Sequence, residues 1–335
     1  MSSEFILQIL EEQKATFRDR VFSPVVTLAA FIVQVLSPDH SCRWAVAQVI
    51  AERVAQGKPP CSPGTGAYCQ ARQRLPKELI LRLLRAVGTK LHLATPLDWQ
   101  WRGRRIVVAD GSTVSMPDTP ENQTDFPQPS SQKPGLGFPL ARLVVLLSLA
   151  TGAVINMAVG AYKGKATGEH ALLREILSSL GKGDVLIADC YYCSYFLIGM
   201  LGRMGVDGLF QVHASRKVDF RRGRRLSKRD HVVVWNKPAR PDWMDKETYH
   251  AMPATLQVRE TQAGGRVLVS TFLDSKTVSR EELSSLYKLR WSVEVSLMFI
   301  KEIMKMNILR GRTPEMVRKE IGVHLLTYNL IRTVM

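Results

Sequence analysis

The sequence is short of acids, of cysteine and of long uncharged stretches. Only 30 Asp and Glu stand against 46 Lys and Arg in 335 residues, a formal net charge of +16. Such an excess excludes an acidic binding module and implies a polyanionic partner, nucleic acid or an anionic membrane surface. The five cysteines (Cys42, Cys61, Cys69, Cys190, Cys193) have no framework spacing, which excludes a disulfide scaffold and points to a reducing compartment. The opening MSSEFILQILEEQK places acids where a secretory leader carries positive charge, so a cytoplasmic location is expected. One uncharged run, residues 143–161, is long enough to raise the question of a membrane. Thr151-Gly152 divides it into two β-branched halves, which reads as a hairpin of buried strands and not as a span. No membrane partner is expected.

Hydrophobic residues at 45% and charged residues at 23% give the balance of a globular chain, long enough for two or three domains. Residues 1–100 are expected to be helical, with apolar helix periods over 5–17, 23–36 and 41–56. A breaker cluster, KPPCSPGTGAY, precedes a basic helix near 68–74 and another over 76–93. This pattern suits a small DNA-binding bundle, such as one of helix-turn-helix type, or a helical cap on the next domain. From Arg104 the period changes: RRIVVAD, the hairpin, the amphipathic helix GEHALLREILSSLG, DVLIAD, a helix and DGLFQVH imply a mixed α/β sheet over 101–215. Residues 216–229 then carry eight Lys or Arg against the single acid Asp219, net +7 over 14 residues. Short apolar runs after it make 216–276 a basic, β-rich insertion. Ser279 and Glu282 form a capping box opening a long helix to about Asn307, and a final helix from Thr313 completes 277–335.

Asp110 and Asp189 each follow an apolar β-branched run, so both are expected to close a strand at the carboxyl edge of the sheet, where open α/β sheets bind ligands. Each could equally serve a turn or a helix cap. On the long helix, Tyr287, Arg290, Glu294 and Lys301 fall within an arc of about 60°, with Lys305 close by. One carboxylate among cations reads either as a solvated face with i,i+4 pairs or as a face that meets phosphates while its Glu binds a metal. Three carboxylates on separate elements suit two Mg²⁺ ions in phosphoryl transfer, because a hard cation takes oxygen ligands.

The spacing Tyr287-(2)-Arg290-(3)-Glu294-(6)-Lys301 resembles the Tyr-Arg-Glu-Lys signature of the insertion-sequence-four family of bacterial transposases, and ADGST (109–113) and IADCYYCSY (187–195) resemble its two Asp motifs. The resemblance implies a ribonuclease-H-like mixed-sheet core with a helical N-terminal domain and a β-rich insertion. It implies Asp110, Asp189 and Glu294 as catalytic metal ligands for Mg²⁺ or Mn²⁺, and Tyr287, Arg290 and Lys301 as contacts to DNA phosphates. The expected activity is metal-dependent cut-and-paste cleavage and strand transfer at terminal inverted repeats, on double-stranded element ends and target DNA, by a homodimer in a nucleoid-associated synaptic complex. Arg221, Arg222, Arg224 and Arg225 are expected to track the DNA backbone, which makes binding salt-sensitive. Where such enzymes form hairpins, an insertion aromatic holds a flipped base. Trp235 and Trp243 are the candidates, although Trp235 ends an apolar strand and reads as core.

Other readings remain at this level. Cys190-Tyr-Tyr-Cys193 has thioredoxin-like placement, but a lone CxxC is a weak motif in a long basic chain. No second Cys/His pair has zinc spacing. His170, His213 and His324 read as helix-surface, strand-end and structural residues. The chain ends at LLTYNLIRTVM inside an apolar helix, where relatives continue. A truncated, non-cutting DNA-binding regulator is therefore one alternative, and a ribonuclease-H-like nuclease another.

Overall fold

The computed structural model describes residues 3–12, 20–133, 135–213 and 215–334. Five helices come first: α1 (Ser3–Glu12), α2 (Pro24–Leu36), α3 (Cys42–Ala55), α4 (Gly66–Arg74) and α5 (Lys77–Leu93). The expected first helix is present as α1, and residues 13–17 of that expectation lie outside the described residues. Ser23 and Ser41 cap α2 and α3 with their hydroxyls. The five helices do not form one bundle. Residues of α1, α2 and α5 enter the main core, whereas α3 and α4 close a satellite cluster of Ala30, Ala45, Val46, Val49 and Tyr68.

The sheet begins with β1 (Ile106–Ser115), followed by the short α6 (Pro120–Asp125), β2 (Leu140–Ser148), β3 (Val154–Ala161), α7 (Glu169–Ile176), β4 (Val185–Ala188), α8 (Tyr195–Met204) and β5 (Asp207–Gln211). Then come β6 (Arg224–Ser227), β7 (Asp230–Asn236), α9 (Lys246–Ala251), β8 (Thr255–Ala263) and β9 (Arg266–Ser270). Among the described residues the nine strands form one sheet in the order β3-β2-β1-β4-β5-β9-β8-β7-β6. The pairs β1–β4 and β4–β5 are parallel, and the rest are antiparallel. The strands of the basic stretch therefore extend the core sheet through β5–β9.

Residues 143–161 are the β2–β3 hairpin, turned at Gly152 with φ +68°. Leu143, Val145 and Leu147 enter the core on one face, and Val144 and Leu146 the core on the other. Burial on both faces is why the run carries no charge. No helix among the described residues is long and apolar enough to cross a membrane. Helix α5 docks on β3 through Gly88, where a Cβ would lie 1.9 Å from the Val154 carbonyl oxygen. The Asn329 amide then bonds both the Val154 N–H (2.8 Å) and its carbonyl (2.7 Å), beside the register shift of the hairpin.

The C-terminal part corrects one expectation. Residues 279–307 are not one helix but α10 (Arg280–Lys288), α11 (Trp291–Met298) and a π turn over Phe299–Ile303. The capping box at Ser279 and Glu282 is present, yet the chain breaks at Leu289 and Arg290 before α11 packs beside β1. Lys305 lies past the helix with φ +53° and donates to the Pro38 carbonyl at 2.8 Å, so it does not share the Tyr287 stripe. The chain then enters α12 (Pro314–Arg332), which is buried along most of its length.

Candidate active site

Asp189 follows β4 directly, but Asp110 does not close β1, because antiparallel pairing with β2 carries that strand on to Ser115. What ends near Asp110 is the parallel pairing: Ile106, Val107 and Val108 lie opposite Val185, Leu186 and Ile187. The same offset brings Asp110 level with Asp189, on strands about 4.8 Å apart. Alternation sends both side chains toward the face covered by α10 and α11, since Val108 and Ile187 belong to that core.

Asp110 accepts from the Gly111 N–H at 2.9 Å, and Asp189 accepts from the Tyr191 N–H at 2.8 Å as the cap of a 3₁₀ turn. Glu294, in the first turn of α11, accepts from Arg290. Burial pushes the Asp110 carboxyl up to about 6; the negative charges of Asp189 and Glu294 add to the rise, against the Gly111 N–H and Arg290. The three expected acids thus share one electrostatic site with Arg290. Tyr287 is 5% exposed, burial pushes its phenol up to about 12, and the Arg290 guanidinium lies 5.9 Å from its ring centre. Its place is beneath Arg290 instead of on an open face. Lys301 sits in the π turn, partly exposed.

The basic set lies elsewhere. Arg221 and Arg222 are 91% and 83% exposed and pair with Asp219, while Arg224 and Arg225 lie on β6. That strand is six spacings from β1, roughly 29 Å along a flat sheet. Trp235 is core, donating to Glu260 at 3.0 Å. Trp243 is exposed, with the Arg174 guanidinium 3.7 Å from its ring centre. Burial raises the Cys193 thiol to about 12, the opposite of what a reactive CxxC needs.

Local sequence reasoning passed over Glu169, at the start of α7. Its carboxylate fills the space a Cβ on Gly111 would take, with Oε1 and Oε2 each 2.8 Å from that position. Arg142 Nε stands 4.0 Å from Oε1, and His170 bonds the Tyr191 carbonyl at 2.6 Å. The available signal was the Gly directly after Asp110, since glycine inside a strand marks a close approach. Oxygen donors of this kind suit a hard divalent cation. As arranged, with Glu294 held by Arg290, no three His, Cys, Asp or Glu among the described residues group closely enough to enclose an ion.

The order β3-β2-β1-β4-β5, with acids level on β1 and β4, defines a ribonuclease-H-like core. Comparison with known proteins gives the family: residues 101–330 match the transposase DDE domain, and the chain belongs to that family. It is 28% identical over 273 residues to InsG, the transposase for insertion sequence element IS4 of Escherichia coli K12, an alignment covering 79% of this chain and 60% of InsG. The chain thus spans about 60% of the length of that relative. A transposase for insertion sequence element IS421 of Escherichia coli is 32% identical over 76 residues, 23% of this chain and 20% of that protein. In fold, the chain is similar to the piggyBac transposase of a synaptic complex with hairpin DNA, with TM-score 0.50, 10% identity, and coverage of 94% of this chain and 67% of that one.

Proposed function

We propose that the chain is a DNA transposase that cleaves and transfers strands at the terminal inverted repeats of an insertion sequence, by cut-and-paste. The observation that carries this reading is the register of Asp110 with Asp189, with Glu294 close enough to raise the Asp110 pKa. In the proposal Asp110, Asp189 and Glu294 hold Mg²⁺ or Mn²⁺. When bound, the cations supply activation of the attacking oxygen and stabilisation of the leaving one. Arg290, freed from Glu294, turns its guanidinium to a phosphate, which its planar donors suit. Tyr287 keeps that guanidinium in place from below, and Lys301 adds a second cation further along the chain.

Double-stranded DNA is the partner in this reading, with a homodimer bridging two ends. Arg221, Arg222, Arg224 and Arg225 lie far from the acids, so they serve flanking DNA and not the scissile phosphate. Replacing all four with Ala lowers the slope of log affinity against log salt by up to about 3.6, at roughly 0.9 per phosphate contact. Fluorescence anisotropy across a salt series reads that slope; an unchanged one removes the four arginines from the DNA path.

The deciding experiment incubates wild type and Asp189→Ala with labelled DNA flanking the gene, in Mg²⁺, and maps every cut. Cuts by wild type at the edge of an inverted repeat, absent in the variant, are expected. Cutting that ignores the repeat makes the chain a nuclease, and binding without cutting makes it a regulator.

A further inference from the structure

Resting on the reading of this chain as a transposase of duplex DNA, we infer that the loop between α6 and β2 is a DNA wedge. Its tip residues Leu136 and Phe138 insert between base pairs near the cut. Leu136 is 76% exposed and Phe138 63%. A single exposed apolar residue needs no explanation. What marks this pair is how firmly the loop beneath it is held.

The base of the loop is closed by the Leu140 N–H, which donates to the Phe126 carbonyl at 3.2 Å, and the Phe126 side chain is fully buried. Between the two, no helix or strand forms among the described residues, and two glutamines supply hydrogen bonds instead. The Gln128 amide donates to the carbonyls of Gln132 (3.2 Å) and Lys133 (2.9 Å), and its oxygen accepts from the Gly137 N–H at 3.3 Å. Gln123 donates to the Gly137 carbonyl at 3.2 Å and accepts from the Gln128 N–H at 3.1 Å. The Leu136 N–H closes a turn onto the Lys133 carbonyl at 3.1 Å, with Gly135 at φ +77°. Gly137 is buried between the two exposed side chains, and a Cβ there would lie 2.0 Å from Gln132 Oε1. Glycine thus lets the amides reach under the tip. Long loops without secondary structure are usually functional or disordered, and this one is bonded into a single shape.

Charge selects the partner. Residues 126–138 and 162–168 together carry Lys133, Lys163 and Lys165 and no acid. The second segment joins the root of the loop where the Tyr162 N–H donates to the Leu140 carbonyl at 3.1 Å, and Lys163 lines the cleft beside Gln128, Gln132 and Gly135. Asp118 is the acid of that cleft, and it accepts from Gln123 at 2.7 Å. Tyr162 is exposed as well, with the Arg142 guanidinium 4.9 Å from its ring centre. Apolar tips flanked by cations suit a duplex, because the cations meet phosphates while the wedge partly unstacks a base step. An apolar protein patch would answer the tip but not the lysines.

The placement agrees. Ser115 lies opposite Leu140, so the root of the loop stands beyond Asp110 by the length of β1 from Asp110 to Ser115, about 17 Å at about 3.4 Å per residue. A duplex rising about 3.4 Å per base pair covers that distance in about five pairs. The step opened by the wedge is therefore about half a helical turn from the scissile phosphate.

The test uses the full chain and a duplex of the flanking inverted repeat, with 2-aminopurine at successive positions, in chelator so that no cutting intervenes. We expect wild type to raise the fluorescence at a step about five pairs from the edge of the repeat, and Phe138→Ala to remove most of that rise. Phe138→Ala should also weaken binding about tenfold, the scale of one lost aromatic–base contact, with an unchanged slope of log affinity against log salt. Lys163→Ala should do the reverse, keeping the fluorescence and lowering the slope by about 0.9. Phe138→Trp should restore affinity and fluorescence, and Gln128→Ala, which loosens the loop, should lose both with Phe138 still present. Because Phe138 is exposed, Phe138→Ala should melt with wild type, so misfolding does not give this pattern. Tight binding by wild type without a fluorescence rise at any position overturns the wedge and leaves the transposase reading standing. Wild-type DNA affinity in Phe138→Ala together with a lower sedimenting mass makes the tip a contact between copies of the chain and also overturns the wedge. Failure of wild type to bind the repeat overturns the transposase reading, and the wedge with it.

Discussion

Carboxylates at the end of the β1–β4 pairing and carboxylates on β7 and β8 are held in opposite ways. On β7 and β8, Asp230 takes both arms of Arg259, at 2.8 and 2.7 Å, and Arg259 also donates to the Val278 carbonyl. Glu260 accepts from His231 at 2.9 Å and from the Trp235 indole at 3.0 Å. All these groups are buried, and each acid has its donor in place. Around Asp110 the acids outnumber the cations: Asp110, Asp189 and Glu294 are three carboxylates against the one guanidinium of Arg290. A charge buried for the scaffold comes with its partner, because an unpaired one is too costly. A group of acids short of partners is the pattern expected where something else is to be bound.

The largest effect should come from the under-partnered set. Asp189→Asn is expected to reduce strand cleavage by at least about 10³-fold, the scale of losing one preorganised electrostatic group. Its melting temperature should match or exceed that of wild type, since one like charge is gone. A variant that loses activity only by unfolding would place Asp189 with the scaffold acids and remove the contrast.

Arg259→Met probes the other side. Leaving Asp230 buried and unpaired should cost about 3–5 kcal/mol of unfolding free energy, read by urea titration. The double variant Asp230→Leu with Arg259→Met should recover most of that loss, because the cost lies in the orphaned charge. If the single variant loses less than about 1 kcal/mol, the pair behaves like a surface ion pair and the two regions differ less than their geometry implies.

The pH dependence of stability sharpens the comparison further. Asp110 titrates near 6 in the folded chain, against an ordinary value of 3.8. Between those values the folded state binds the proton more tightly than the unfolded chain does. Stability is therefore fullest below about pH 4 and lost as pH rises to about 6, by on the order of 3 kcal/mol at roughly 1.4 kcal/mol per pH unit. Asp110→Asn should remove that decline in metal-free buffer. Denaturation from pH 4 to 7 in chelator checks it; parallel curves for wild type and variant would mean that Asp110 is not held against its charge.

The legible part of this architecture was whatever chain-local chemistry encodes. The uncharged run of 143–161 with Thr151-Gly152 at its middle reads better as a buried hairpin than as a span, and Asp189 after DVLIA reads as a strand end. Asp110 looked the same in sequence, but β2 continues beside it, and a partner 35 residues downstream leaves no mark at Asp110 itself. The break at Leu289 and Arg290 was hidden because no Gly or Pro interrupts the apolar period there. The contact of Glu169 with Gly111 joins positions 58 residues apart and depends on where α7 lies against the sheet. Likewise the strand signals of 216–276 were visible, whereas their joining to β5 through β9 was a property of the sheet.

Glu282 gives the smallest effect and a third kind of carboxylate. It is partly exposed, accepts from the Ser279 N–H at 2.8 Å while Ser279 Oγ accepts from its own N–H at 3.1 Å, and pairs with Arg102. Ser279→Ala removes the hydroxyl half of this box, which should cost about 1 kcal/mol and lower the melting temperature by roughly 2 °C. Helix α10 leads into the turn that carries Arg290 and Glu294, so the same variant tests whether that turn depends on its upstream helix. Because Leu283, Leu286 and Tyr287 are buried in the core, the helix should keep its place with a frayed first turn. Mn²⁺ affinity should then stay within about twofold of wild type, well inside the tenfold effect of an outer-shell ligand. A larger drop would show that the acid site depends on a helix start several turns away, and that cap and site cannot be treated as separate.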